Sequence, residues 1–418
     1  MTHHRLANGV RVLVLPMPHL RSACVSVYVG HGSAAESRRN NGIGHLLEHM
    51  VFKGTTSRDA RAINVDAERL GAEFNAHTDR DHTAFHLRGL AEHVQPFVAM
   101  LADLVLAPSI PADELERERQ VLLQELTEDE EDPLSQAFQL FDRASWGLHS
   151  AALPVIGQRR TLEHVQRDEV LAWHRAHFVA PAMVLAVAGP VDPQAVVSWA
   201  DSAFAGALAD PPPPAPSLPT WRGGVKARHL AGHSQAHVVL GWPAPTMQAD
   251  DPAPALAAAL FGEGMSSPLM HELRERRGLF YYAACSADQY ATQGQWSIEA
   301  STAADRRDEF LREALALVRR QAQGVDADDL MRGRNLMQVR LLRDGERPTR
   351  ALEDAALDLL FLGRVRSLDE RLDRLSALRA QDLEATFAGL LAQPVAVGAT
   401  GHLGRAARQQ IEDVLAQA

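Results

Sequence analysis

Cysteine is nearly missing from this chain. Cys24 and Cys285 are the only two among 418 residues, and they stand too far apart in sequence for a metal knuckle or a redox pair. That excludes a disulfide scaffold and a thiolate-ligated metal site, and it points to a reduced compartment. Both read as small buried hydrophobes. An excess of positive charge is lacking too: 42 Lys and Arg face 53 Asp and Glu, for a formal net charge of −11. No basic cluster interleaves with aromatics, so nucleic acid is not expected as a partner. No run approaches the ~18 apolar residues of a membrane span, so no membrane partner is expected. The stretch Met1 to Val10 lacks the apolar centre of a secretory signal. Cytoplasmic residence is the expectation, with the periplasm reserved for a chain whose leader has been trimmed.

What is present is ordinary globular material, 46% apolar and 23% charged, in a chain longer than one core usually supports. Asp210-Pro211-Pro212-Pro213-Pro214-Ala215-Pro216 cannot propagate helix or sheet and reads as an extended linker. It divides the chain into residues 1–209, a linker over 210–222, and residues 223–418. The two halves resemble each other, as internal repeats do. Ala23 to Val29 and His237 to Trp242 are both β-rich runs near the start of a half. Ala112-Asp113-Glu114-Leu115 matches Ala327-Asp328-Asp329-Leu330, and Met183 to Gly189 matches Val395 to Gly401 as apolar strands closed by glycine. The expected fold class is α+β: two homologous α/β domains with mostly antiparallel sheets, packed by helices on one face. A parallel doubly wound sheet lacks the glycine-rich phosphate loop that would support it.

The chemistry concentrates in His45-Leu46-Leu47-Glu48-His49. On a helix, residues three and four apart share a face, so both histidines can hold one metal ion with Glu48 beside it. The repeat shows what the second half lacks: apolar Ala255 to Leu260 stands where the histidines would be, and Arg340 stands opposite Glu125. A hydrolytic zinc site needs a third protein ligand and an open position for water. Pro111 to Leu126 reads as a helix with acids in its first turn, and Glu118 and Glu125 share one of its faces with Leu122 between them. Glu114 and Glu116 read as solvated.

Further residues extend the pattern: Gly32-Ser33 with Glu36, then Gly42, His45, Glu48, His49, Met50, Phe52-Lys53-Gly54-Thr55, then Asn75-Ala76-x-Thr78, Glu118 with Glu125, Met265-Ser266-Ser267, and Arg274-x-x-x-Gly278-x-x-Tyr281. On these residues the chain resembles the pitrilysin/insulinase family of zinc metallopeptidases with the inverted motif HxxEH, in the short two-domain branch related to mitochondrial processing peptidase. The resemblance implies one Zn²⁺ per chain, held by His45, His49 and a distal glutamate some seventy-odd residues further on, which selects Glu125. It implies Glu48 as general base, Glu118 as an accessory acid that tunes the site from outside, and Arg274 with Tyr281 as a pair from the second domain that hydrogen-bonds the substrate carbonyl or oxyanion. It implies Asn75, Ala76 and Thr78 as an edge strand to which extended substrate adds. His77 and His82 read as ordinary strand or turn residues. The loop His149 to Gly157 departs from the family by carrying Ser150 and Ala152 where Pro and Gly are usual.

The implied function is a zinc endopeptidase that cleaves short or unfolded peptides through a metal-activated water. Because the chain carries both the zinc motif and the Arg/Tyr pair, a homodimeric chamber is expected. The alternatives are a subunit of a heterodimeric peptidase dedicated to maturing one peptide, and a non-catalytic peptide-binding or scaffold subunit.

Overall fold

In the computed structural model, which describes residues 1–417, the chain forms two compact units. The first contains Met1–Leu126, Pro154–Pro216 and Asp344–Arg366; the second contains Thr127–Leu153, Ser217–Arg343 and the chain from Ser367 onward. Both units are therefore discontinuous in sequence, where a division at the proline-rich segment is continuous.

The first unit is built on six strands: β1 (Thr2–Arg5), β2 (Arg11–Pro16), β3 (Ser22–Val29), β4 (Glu73–Thr78), β5 (Thr83–Leu90) and β6 (Met183–Gly189), in the order β1-β2-β6-β3-β5-β4. Only β2 and β6 run parallel; the remaining pairs are antiparallel. The second unit has β7 (Gly224–Ala227), β8 (Gln235–Pro243), β9 (Tyr282–Gln289), β10 (Gly294–Ala303) and β11 (Ala396–Gly401), ordered β7-β11-β8-β10-β9. Again a single pair, β7 with β11, is parallel. The second sheet repeats the first strand for strand without β1, as the internal repeat predicts.

The expectation of helices on one face needs correction, because each sheet buries both. In the first unit Val25, Val27, Phe85, Leu87 and Leu185 face the main core with the helix Val94–Leu106. The alternate residues Cys24, Tyr28, Ala84, Val184 and Ala186 pack instead against Leu352, Ala355, Ala356 and Leu359 of the helix Pro348–Phe361. Strand side chains alternate between faces, and β3 and β6 are near-continuous apolar runs, as doubly covered strands are, with the fully buried Ser26 as the polar exception inside β3. The second unit treats its sheet alike: Ala137, Phe141 and Ala144 of the helix Pro133–Trp146 pack on Val239 and Ala396. Each sheet thus takes one covering helix from the opposite half of the sequence.

That helix lies so close to β11 that a Cβ at Gly398 would overlap the backbone of Ala137 and Phe141. Gly398→Ala is expected to destabilise the protein by roughly 1–3 kcal/mol, the usual cost of overpacking, read as a lowered midpoint in urea. An unchanged midpoint would mean the helix can back away.

Candidate metal centre

The helix Ile43–Val51 begins where glycine makes it possible. Gly42 sits at φ +95°, in the left-handed region, and a Cβ there would come within 2.8 Å of Gly157. Glu36 then receives the first free amides of the helix: Oε2 accepts from Gly42 N at 2.7 Å and from Asn41 Nδ2 at 2.8 Å, and Oε1 accepts from Gly44 N at 2.8 Å. A carboxylate is well matched to those unsatisfied donors and to the helix dipole. Burial pushes its pKa up to about 7, against the opposing pull of the three donors. Sequence reading noticed Glu36 only as part of a pattern; its work is to fix where the metal helix starts.

From that start, His45 and His49 fall on one face with ring centroids 4.8 Å apart. Glu125, on the helix Ala112–Glu131, brings Oε2 to 3.8 Å from His45 Nε2 and 3.9 Å from His49 Nε2. Leu122, one turn earlier and fully buried, anchors this helix in the core. Ligand atoms from all three residues lie within 4.8 Å of one another. Zn²⁺ bonds of ~2.0–2.2 Å in a tetrahedron put ligand atoms about 3.3–3.5 Å apart. The carboxylate needs only a small approach to the two imidazoles to share an ion with them, and the donor set of two imidazoles and one carboxylate suits zinc. Burial and the neighbouring His49 lower the His45 pKa to about 4, with the Ile156 backbone opposing. The ring is therefore neutral and its lone pair available near pH 7.

The accessory acid falls where an outer partner is needed. Glu118 Oε2 lies 3.1 Å from His49 Nδ1, and its Oε1 accepts from Lys53 Nζ at 2.7 Å. A carboxylate can only accept, so His49 carries its proton on Nδ1 and turns the Nε2 lone pair toward Glu125. Lys53, to which the sequence pattern assigns no role, holds the other oxygen. Glu118→Ala should lower zinc affinity by about 10–100-fold in competition against a chelator of known affinity. Unchanged affinity would reduce Glu118 to a packing residue.

Glu48 is 8% exposed. It accepts a hydrogen bond from Thr78 Oγ1 at 2.6 Å. Burial raises its pKa above the ordinary glutamate value, with the Thr78 hydroxyl as the main opposing influence. Thr78 closes β4, the edge strand of its sheet, so the segment Asn75, Ala76 and Thr78 is both edge backbone and support for Glu48.

Arg274 and Tyr281 belong to the second unit. Arg274 lies in a π-helical segment, Leu269–Glu275, with Nη1 at 3.6 Å from Met265 Sδ. Tyr281 is 65% exposed, whereas the neighbouring Tyr282 donates its hydroxyl to Glu299 Oε1 at 2.6 Å. Of the adjacent tyrosines, Tyr282 is thus already engaged and Tyr281 faces solvent. At the position matching Glu125 in the repeat, Arg340 pairs with Glu263, so this unit has an ion pair where the first has a candidate metal ligand.

Comparison with known proteins finds two family models along the chain. Residues 11–159 match the profile of "Insulinase (Peptidase family M16)", and residues 164–337 match "Peptidase M16 inactive domain". An uncharacterized zinc protease of Rickettsia bellii is 28% identical, over 91% of this chain and 93% of its own. One from Mycobacterium leprae is 33% identical, over 71% of this chain and 68% of its own. The crystal structure of a peptidase M16 inactive domain from Pseudomonas fluorescens superposes with a TM-score of 0.89 at 20% identity, covering 96% of this chain and 98% of that one.

Proposed function

The chain belongs to the insulinase family of peptidases, family M16, and from that premise we propose that it is a zinc-dependent endopeptidase acting on short or unfolded peptides. The observation that carries the proposal is the convergence of His45 Nε2, His49 Nε2 and Glu125 Oε2 with a buried, hydrogen-bonded Glu48 alongside. The relatives' description as zinc proteases supports the metal's identity. Zinc, when bound, supplies a Lewis acid that polarises the scissile carbonyl and makes water a stronger acid.

The chain's own residues account for the proton movements. Glu48 takes a proton from the water that attacks the scissile carbonyl carbon, and delivers it to the amine nitrogen as the C–N bond breaks. Thr78 holds the Glu48 carboxylate in place through the hydroxyl hydrogen bond. Glu118 keeps His49 in the tautomer that a ligand needs. The open edge of β4 offers backbone groups to an extended peptide, so affinity comes without reading side chains. Arg274 and Tyr281, on the second unit, are assigned to the developing oxyanion. The assembly we favour is a homodimer of the short two-domain type, forming a chamber that admits flexible peptides.

The test is turnover of an unstructured, internally quenched peptide library by the purified chain alone. Activity lost on chelation and restored by zinc is expected. A zinc-loaded chain that cleaves nothing would contradict the reading.

A further inference from the structure

β4 sends alternate side chains to opposite faces. Thr78 reaches Glu48 on one face. His77 points to the other, the face covered by the helix Pro348–Phe361, and there it meets a second group of metal-ligating side chains. Its Nε2 lies 3.1 Å from His82 Nε2 and 3.5 Å from Glu353 Oε1. His82 comes from the start of the return toward β5, His86 from β5, and Glu353 from the covering helix, all within the first unit.

We propose that His77, His82 and Glu353 form a second site for a divalent transition metal such as Zn²⁺ or Co²⁺, distinct from the centre at His45 and His49. Their ligand atoms all lie within 4.8 Å of one another, and two imidazoles with one carboxylate suit these ions. The outer partners of the ligands are also in place, which a chance cluster does not require. His82 Nδ1 faces Asp81 Oδ1 at 2.9 Å, so its proton sits on Nδ1 and the Nε2 lone pair points inward. His77 Nδ1 faces His86 Nε2 at 3.3 Å, and His86 Nδ1 faces Ser26 Oγ at 2.8 Å.

This relay permits two states that contain the same number of protons. Without metal, the Ser26 hydroxyl donates to His86 Nδ1, His86 Nε2–H donates to His77 Nδ1, and His77 Nε2–H donates to His82 Nε2. With metal, His77 carries its proton on Nδ1 and donates to His86 Nε2, and His86 donates from Nδ1 to the Ser26 oxygen. The His77 Nε2 lone pair is then free for the ion. Arg350 Nη1 holds Glu353 Oε2 at 2.5 Å, leaving Oε1 as the oxygen turned toward His77. Tyr28 packs beside the group, with its ring centroid 5.6 Å from that of His86. A bound ion would brace the covering helix against the β4–β5 hairpin.

The experiment uses the untagged full-length chain carrying His45→Ala and His49→Ala, which removes the imidazoles of the first centre. Equilibrium dialysis with Co²⁺ should find one equivalent bound, with visible absorption bands and a raised melting temperature. Adding Glu353→Gln or His82→Asn should weaken that binding by at least ~10-fold, as loss of even an outer partner does, and should remove the thermal shift. As a separate reading in the otherwise unaltered chain, two bound equivalents should fall to one with Glu353→Gln. Absence of Co²⁺ and Zn²⁺ binding in the double variant, or binding indifferent to both added substitutions, would overturn the proposal.

Discussion

Glu48→Gln is expected to lower kcat for peptide hydrolysis by about 10²–10⁴-fold, the range a positioned general base supplies, while zinc content and melting temperature stay near those of the unaltered chain. Glutamine keeps the volume of the side chain, and its carbonyl oxygen can still accept from Thr78 Oγ1, the contact that now holds Glu48 at 2.6 Å. What it cannot do is take the proton from water. Steady-state kinetics and metal analysis on one preparation check this. Loss of zinc along with activity would mean that Glu48 serves as a ligand, and a small loss of kcat would move the base to another residue.

Glu125→Gln should fail differently. It removes the anionic member of the trio, whose Oε2 stands 3.8 and 3.9 Å from the two imidazole nitrogens. Zinc affinity is expected to fall by at least ~10²-fold, beyond the effect typical of an outer partner. Because Glu48 is untouched, activity should return in part when excess zinc is supplied, whereas Glu48→Gln should not respond. The pair of variants therefore separates holding the metal from moving the proton. Equal rescue of both, or of neither, would contradict the division of labour.

The readable parts of the site were those carried by one element. A helix places His45, Glu48 and His49 on one face by spacing alone, and the carboxylates of Glu118 and Glu125 likewise share a face. The repeated strand patterns announce two related sheets, and the sheets repeat each other in order. What lay beyond the sequence required distant segments to meet. Nothing in the local pattern of Pro348 to Phe361 says that Leu352 and Leu359 cover the sheet of the first unit. For the same reason His77 and His82 read as ordinary residues. Their neighbours His86 and Ser26 are related by strand register, and Glu353 arrives on that covering helix. Lys53 was visible but mute, because its partner Glu118 lies on another helix.

The account depends most on where the ion sits, and anomalous scattering at the zinc edge from crystals grown with zinc tests it most directly. The predicted result is a peak about 2.0–2.2 Å from His45 Nε2, His49 Nε2 and Glu125 Oε2, within reach of Glu48. A peak that leaves out Glu125, or no peak between the two histidines of that helix, would contradict it.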